Sequence, residues 1–206
     1  MQSSIMIRSV LGATVSCLVV SSASAQSSSS WASDGPVVHG HHHLNVTDRV
    51  AHERFWGDTL GGIPTPWRDV RIFKFPNALV FLTDSEPSGG TIGTTVNHIG
   101  FWVPDARAML AQVRAAGYPV ITEQELPNAD VRDGVVCPDG QGYCLGYVLG
   151  PDDVKVEFMG NRAQSMPIQH HHIHFNTPDV DALRAWYVQM FDAVPGMNGN
   201  FKVAED

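Results

Sequence analysis

Three segments of the chain alternate apolar and polar residues and then run into an aspartate that precedes an amphipathic stretch. Each segment begins with a histidine, carries an apolar residue three positions later and has its aspartate seven positions later. Alternation with a period of two predicts a strand, and an aspartate before helical spacing predicts a helix N-cap. The three segments therefore form an internal repeat of strand, aspartate and helix. They are residues 41–48, 98–105 and 172–179.

The first repeat opens a predicted βαβββ module over residues 37–84. Its first strand places the apolar residues on the side that packs under the helix, and His41 and His43 on the side that faces a cavity. The helix is expected over about residues 49–60, where a Gly-Gly pair ends it. Two shorter strands complete the module, at residues 70–75 and 78–83.

The second repeat opens a longer module over residues 94–160. His98 lies on one face of its first strand, and the apolar residues lie on the other. A helix is expected over about residues 105–116. In the last strand of this module, Glu157 faces away from the apolar side chains. The strand candidates after the helix are residues 119–122, 134–137, 143–149 and 154–159.

The third repeat supplies only a strand over residues 169–176 and a helix over residues 180–191, within a partial module at 168–206. The pattern predicts an α+β fold in which tandem βαβββ modules pair into a half-open barrel, followed by an incomplete third module. Either the chain is a fragment of a longer protein, or the third piece packs on the first two modules.

The composition is that of an ordinary globular protein. The chain has 206 residues, of which 43% are hydrophobic, and a formal net charge of −8. This length allows one or two small domains with a real core. An acidic chain lacks the basic face that a nucleic-acid-binding protein needs, so no nucleic-acid partner is expected.

The N-terminal 25 residues have the pattern of a secretory signal peptide. A short region with one positive charge precedes an apolar stretch at residues 10–20, and residues 23–25 offer the small side chains of a cleavage site. Residues 26–36 are rich in serine and predict a flexible linker. The mature protein is therefore expected to be exported, in the periplasm or secreted, with no membrane attachment after signal removal.

Two cysteines, Cys137 and Cys144, flank a turn-forming stretch of six residues. In an oxidising compartment they are able to form a disulfide across a hairpin, and they are equally able to remain free thiols. Their spacing is not that of a zinc knuckle, so metal binding by this pair is the weaker alternative.

Three side chains on three predicted strands form a candidate metal site. His41 and His98 occupy the same slot in two copies of the repeat, and Glu157 lies on the last strand of the second module. Each projects from the face opposite the apolar residues, so the three converge if the two modules curl into one half-open barrel. Two imidazoles and one carboxylate suit a divalent metal with open positions, with Fe(II) favoured and Mn, Ni or Zn as alternatives. The histidine runs at 39–43 and 170–174 also have the composition of adventitious metal-binding segments.

Five stretches of the chain match a known pattern: residues 41–48, 55–62, 97–105, 115–120 and 150–158. In them the chain resembles the vicinal oxygen chelate superfamily, which includes glyoxalase I, extradiol dioxygenases, epimerases and bleomycin-resistance proteins. The resemblance implies the paired βαβββ fold and a metal site whose ligands match His41, His98 and Glu157. Glyoxalase-like members add a glutamate where this chain has Phe81, so the remaining set resembles that of the extradiol dioxygenases.

The resemblance implies an enzyme that chelates two neighbouring oxygens of a small organic substrate, most like an extradiol-type dioxygenase. Tyr147 matches the tyrosine of the dioxygenase signature, but the upstream histidine of that signature is absent, so His43 becomes the candidate for proton transfer. Trp102 and Met159 are candidates for apolar cavity residues. The alternatives are a glyoxalase-like lyase, isomerase or epimerase, and a metal-free binding protein of the bleomycin-resistance type. A homodimer is compatible with each of them.

Overall fold

The computed structural model describes residues 40–65, 67–198 and 201–205. The predicted signal peptide and linker lie outside the described residues, as do residues 37–39. The strands are β1 (His41–Val46), β2 (Ile63–Pro64), β3 (Arg71–Phe75), β4 (Ala78–Asp84), β5 (Val96–Val103), β6 (Cys144–Leu149), β7 (Lys155–Gly160), β8 (Gln169–Phe175), β9 (Val194–Asn198) and β10 (Phe201–Glu205). The α-helices are α1 (Arg49–Glu53), α2 (Ala106–Ala115), α3 (Thr122–Glu125) and α4 (Val180–Phe191).

The strands form two four-stranded sheets and a separate pair made of β9 and β10. The first sheet has the order β1-β4-β3-β2, and β1 runs parallel to β4. The second sheet has the order β6-β7-β5-β8, with β5 parallel to β7 and antiparallel to β8. Within the part of the chain that the structure describes, the fold is therefore of the predicted α+β class, with βαβββ modules and no closed barrel. The strand that extends the second sheet is β8 of the third repeat, not β1 of the first.

The aspartate of each repeat starts a helix, as the sequence pattern predicts. The side chain of Asp48 accepts a hydrogen bond from the backbone N–H of Ala51, at 3.0 Å, and α1 follows. Asp105 caps α2 in the same way, and Asp179 caps α4. An N-terminal carboxylate satisfies a backbone donor that has no partner within the helix, and its charge also complements the helix dipole. Directly after α1, the chain continues as a π-helix over Arg54–Thr59.

A cluster of buried aromatic rings joins the two sheets. Phe101 on β5 is fully buried, and its ring lies 5.1 Å from that of Phe75 on β3 and 6.5 Å from that of Trp56. Phe158 on β7 extends the cluster from the same side as Phe101. Because successive residues of a strand face opposite sides of a sheet, His98 of β5 and Glu157 of β7 lie on the face away from these rings.

Two predicted strands of the second module were wrong. Residues 119–122 form only one isolated bridge, between Val120 and Val148, and α3 begins at Thr122. Residues 134–137 also form only bridges, because the surrounding chain turns repeatedly at glycines with positive φ such as Gly134 and Gly140. These turns end each pairing before a ladder develops.

The two cysteines left open by the sequence form a disulfide, Cys137–Cys144. It ties the loop before β6 to the first residue of that strand. Among the described residues, none of the helices has the length and apolar character that crossing a membrane requires.

Candidate metal centre

Three side chains from three neighbouring strands meet at one point on the second sheet: His98 of β5, Glu157 of β7 and His172 of β8. Nε2 of His98 lies 3.0 Å from Oε2 of Glu157 and 3.2 Å from Nε2 of His172. Nε2 of His172 lies 3.0 Å from the same Glu157 oxygen. His98 and Glu157 are buried, and His172 is partly exposed. The three ligand atoms therefore form a nearly equilateral triangle.

Strand register explains why these three side chains converge. Gly100 is the residue of β5 that pairs with Glu157 on one side and with His172 on the other. A Cβ at position 100 would overlap the imidazole of His172. The glycine therefore leaves the space in which His172 crosses β5 to reach His98 and Glu157.

A β-bulge in β8 brings a further histidine, His171, beside the triangle of His98, Glu157 and His172. The pairing of β8 with β5 shifts between Gly100 and Phe101, and His171 is the extra residue at the shift. A bulge turns two successive side chains towards one face of a sheet. Nδ1 of His171 lies 2.7 Å from Nδ1 of His172, so one of these nitrogens donates a hydrogen bond to the other.

The second ring nitrogen of each histidine in the triangle has its own partner. Nδ1 of His98 lies 2.9 Å from Oδ1 of Asn97, an oxygen that only accepts, so Nδ1–H is the donor and Nε2 keeps its lone pair. For His172, a hydrogen on Nδ1 donated to His171 leaves Nε2 with its lone pair in the same way. Histidines that bind metals in proteins are held by this kind of outer hydrogen bond.

The charges of the group favour ligand-competent protonation states. Burial lowers the pKa of His98, although the neighbouring Glu157 carboxylate opposes this effect. Burial alone would raise the pKa of Glu157, but the close approach of His172 and His98 holds the pKa of its carboxyl well below the usual range. An anionic carboxylate beside a neutral imidazole is the state that binds a cation.

Two further side chains pack on the triangle. The ring of His174 stacks on that of His98 with 4.6 Å between centroids, and burial lowers the pKa of His174 to about 4. The Tyr147 ring lies 5.3 Å from that of His98, and Tyr147 pairs with Glu157 across β6 and β7. Burial and the Glu157 charge raise the pKa of Tyr147, so its phenol stays protonated.

An aromatic wall borders the group towards the C-terminal end of β5. Trp102 contacts the ring of His171 at 4.5 Å and the ring of Tyr143 at 6.1 Å. Met159, which pairs with Trp102 across the sheet, is buried beside it. Trp102 and Met159, the two apolar cavity candidates from the sequence, thus lie on the same face of the sheet as His98 and Glu157.

The donor set fits a divalent metal. Metal–ligand bonds of about 2.1 Å that meet at right angles separate their ligand atoms by about 3.0 Å. The observed separations of 3.0, 3.0 and 3.2 Å match this facial arrangement. Two neutral imidazoles and one carboxylate on a single face are also the ligand set of many non-haem iron sites.

The structure brings together two of the three metal ligands predicted from sequence, and its third donor is His172. His41 lies in the first sheet, on β1, where its ring contacts those of His43 and Phe81. His43, predicted for proton transfer, stacks on Phe81 at 4.7 Å and is exposed. Tyr147, predicted from the dioxygenase signature, does lie beside Glu157.

The sequence contained a signal for His172 that the prediction did not use. His172 holds the same repeat slot as His41 and His98, seven residues before the capping aspartate. Local pattern cannot distinguish His41 from His172, because the choice depends on which strand lies beside β5.

No protein-family model matches the chain, and no curated protein matches it. Solved structures do. A mutant of glyoxalase I from Zea mays superposes with a TM-score of 0.60 at 11% sequence identity, covering 80% of this chain and 60% of the maize chain. A second mutant of the same maize enzyme gives a TM-score of 0.59 at 13% identity, over 75% of this chain and 56% of the other.

A lactoylglutathione lyase from Agrobacterium tumefaciens is also similar, with a TM-score of 0.43 at 17% identity over 64% of this chain and 98% of that one. At the identities found, the maize structures establish the fold alone. The chain therefore has the fold of glyoxalase I, which is the fold that its resemblance to the vicinal oxygen chelate superfamily implies.

Proposed function

We propose that the protein is a divalent-metal-dependent enzyme with His98, Glu157 and His172 as the metal ligands, acting on a small organic molecule with two neighbouring oxygen atoms. The triangle of nitrogen and oxygen atoms with edges of 3.0–3.2 Å carries the proposal. Fe(II) is favoured because two histidines and one carboxylate on one face are its ligand set in oxygenases, and Mn, Ni and Zn are the alternatives.

The favoured reaction within this proposal is of the extradiol dioxygenase type. A bound divalent metal would supply the Lewis acid that chelates the substrate oxygens and, as Fe(II), the redox chemistry with O₂. The single carboxylate of the triangle supports this assignment, because it is the composition of the dioxygenase ligand set.

The side chains around the triangle have separable roles in this proposal. Tyr147, a protonated phenol on the strand beside Glu157, offers a donor to the carboxylate or to the bound substrate. His174 holds the ring of His98 in place by stacking. Trp102 and Met159 offer an apolar surface to the body of the substrate and exclude water from it.

The first test is the metal content of the full chain, purified without an affinity tag under anaerobic conditions. We expect about one equivalent of a divalent metal in the wild type, and its loss in the His172→Ala and Glu157→Gln variants. His41→Ala is the matched control, since it removes a histidine from the same repeat slot, and this variant should keep the metal. Loss in His41→Ala with retention in His172→Ala would overturn the proposed ligand set.

The second test separates the reaction types. Oxygen uptake with catechol as the probe, by the Fe(II)-loaded wild type and not by Glu157→Gln, would support the dioxygenase assignment. Metal binding without oxygen uptake would instead favour the lyase, isomerase or epimerase alternative, with the metal as a Lewis acid. Absence of metal binding would leave the metal-free binding protein.

Export is part of the same proposal. We propose that the mature protein works outside the cytoplasm, after removal of residues 1–25. The Cys137–Cys144 disulfide supports this location, because disulfides persist in oxidising compartments and are rare in the cytosol.

A further inference from the structure

We propose that the Cys137–Cys144 disulfide is a thiol–disulfide exchange site for dithiols, at which Arg107 stabilises the sulfur anion that leaves. The proposal rests on the position of one guanidinium beside both sulfur atoms and on the loop that the disulfide closes. It does not depend on the proposed metal chemistry, because both of its readouts work on the metal-free protein.

Arg107, in the first turn of α2, reaches both sulfurs at once. Its Nη2 lies 3.3 Å from Sγ of Cys137, and its Nη1 lies 3.7 Å from Sγ of Cys144. Its nearest carboxylate, Asp133, is 3.9 Å away and 83% exposed. Water screens an ion pair of that kind strongly, so most of the guanidinium charge stays available to the sulfurs.

The two sulfurs differ in access. Cys137 is exposed, whereas Cys144 is half-buried at the start of β6. An incoming thiolate therefore reaches Sγ of Cys137 first. A guanidinium near a cysteine favours its thiolate, which lowers the thiol pKa and makes the reduced form more stable.

The exchange balances as a two-electron reduction of the protein by a dithiol. The dithiol thiolate forms a bond to Sγ of Cys137 while the Cys137–Cys144 bond breaks, and the electron pair leaves on Sγ of Cys144 beside Arg107. The second thiol of the reductant, as its thiolate, then attacks the reductant sulfur that is bonded to Sγ of Cys137. Cys137 leaves as a thiolate, and the reductant departs as a cyclic disulfide. The two protons of the dithiol end on the two cysteines or in solvent.

The disulfide also holds a residue of the aromatic wall. Tyr143, the residue before Cys144, lies inside the closed loop, and its ring contacts Trp102 at 6.1 Å. Trp102 projects from the same face of β5 as His98. Opening the disulfide releases the six residues of the loop and with them Tyr143, which contacts Trp102.

The test compares the thiol–disulfide equilibrium of the wild type with that of Arg107→Gln in dithiothreitol buffers, with alkylation and mass spectrometry to count free thiols. We expect Arg107→Gln to need about a tenfold higher ratio of reduced to oxidised dithiothreitol for half-reduction. Arg114→Gln, an exposed arginine on the same helix, is the matched control and should behave as the wild type. Equal midpoints for Arg107→Gln and Arg114→Gln would overturn the role of Arg107.

A second measurement tests the loop. Reduction should change the tryptophan fluorescence of the wild type, and this change should be absent in Trp102→Phe because Trp102 is the ring that contacts Tyr143. Retained circular dichroism after reduction would show that the fold persists. An unchanged emission spectrum on complete reduction would overturn the link between the disulfide and the aromatic wall.

Discussion

The imidazole of His172 lies where the side chain of residue 100 would stand if that residue were not Gly100. The two residues are opposite each other in the antiparallel pairing of β5 with β8. Gly100 is not in a conformation reserved for glycine, since its place in β5 is extended. A glycine is required here only because it has no side chain, and the imidazole of His172, a proposed metal ligand, occupies the space that a side chain would fill.

Gly100→Ala is therefore expected to displace His172 and to weaken metal binding by at least about tenfold, in the range found when a ligand loses its support. Isothermal titration of the metal-free protein with Fe(II) or Zn(II) measures the change. Gly40→Ala is the control, because a Cβ at position 40 meets no atom within 4 Å. An unchanged metal affinity in Gly100→Ala would show that metal binding does not require the space that Gly100 leaves for His172.

Asn97 is expected to set the tautomer of His98. Its Oδ1 lies 2.9 Å from Nδ1 of His98 and holds the hydrogen there, which leaves Nε2 free to bind. Asn97→Leu removes the acceptor, and metal affinity should fall by about 10–100-fold. Asn97→Asp keeps an acceptor and should retain most of the affinity. Equal affinities for the two variants would exclude this role for Asn97.

Stability should fall as the pH drops below the ordinary histidine pKa, and His52 is one cause. His52 is fully buried, accepts a hydrogen bond from Nε1 of Trp56 and lies 3.0 Å from a carboxylate oxygen of Asp152. Burial lowers the pKa of His52 below the usual 6.5, despite that carboxylate. The unfolded chain therefore takes up a proton between the two pKa values that the folded chain does not, so the free energy of unfolding decreases as the pH falls through this window.

The measurement is urea unfolding at about pH 7.5 and about pH 5, in the wild type and in His52→Gln. The variant should be less stable at the higher pH, because it loses the contacts of His52, but it should lose less stability on acidification. Both proteins share the other buried histidines, so the difference isolates His52. An identical pH dependence in the two proteins would contradict the assignment.

The buried Lys155 forms an ion pair with the partly exposed Glu125, beside the ring of Tyr147. Nζ of Lys155 lies 2.5 Å from Oε2 of Glu125, and the lysine side chain is 3% exposed. Glu125→Gln leaves a buried ammonium without its counter-charge, which should cost about 3–5 kcal/mol of unfolding free energy. Glu123→Gln, on the exposed side of the same short helix, should change stability by less than about 0.5 kcal/mol. Equal costs would show that Lys155 finds another partner.

The proposed export has a simple test. Expression of the full chain in a bacterium with an intact secretion pathway should yield a mature protein that begins at Gln26 and is found in the periplasm or the medium. Intact-mass measurement gives the processing site. Recovery of the unprocessed chain from the cytoplasm, with Cys137 and Cys144 reduced, would contradict export.

Local sequence pattern predicted much of the fold. The strand phases, the capping aspartates and helix α4 were confirmed, because each depends on residues close together in the chain. The wrong strands at 119–122 and 134–137 lie where proline and glycine turns compete with apolar composition. Whether such a segment forms a strand or a turn depends on contacts with residues that are distant in the sequence.

The site was predictable in its parts and not in its assembly. His98 and Glu157 were placed together because they belong to one module, whose strands β5 and β7 are parallel neighbours. The third donor, His172, depends on which other repeat places its strand beside β5. The first and the third repeat both carry a histidine in the same position, so the sequence alone leaves two candidates. Gly100, Asn97 and His171 were overlooked for a related reason, since each acts only through a ring that another strand or a bulge brings to it.

The register of β5 against β8 carries a historical implication. Ile99 pairs with Ile173, which holds the same position in its own repeat. On either side of this pair, Gly100 pairs with His172 and His98 pairs with His174, so the pairing is symmetric between the two repeats. That is the arrangement of two identical polypeptides related by a dyad axis. Fusion of two such copies into one gene frees each half to mutate alone. Gly100 and His174 hold the same position in these two repeats but differ in role, since Gly100 leaves space for the imidazole of His172 and the ring of His174 stacks on that of His98.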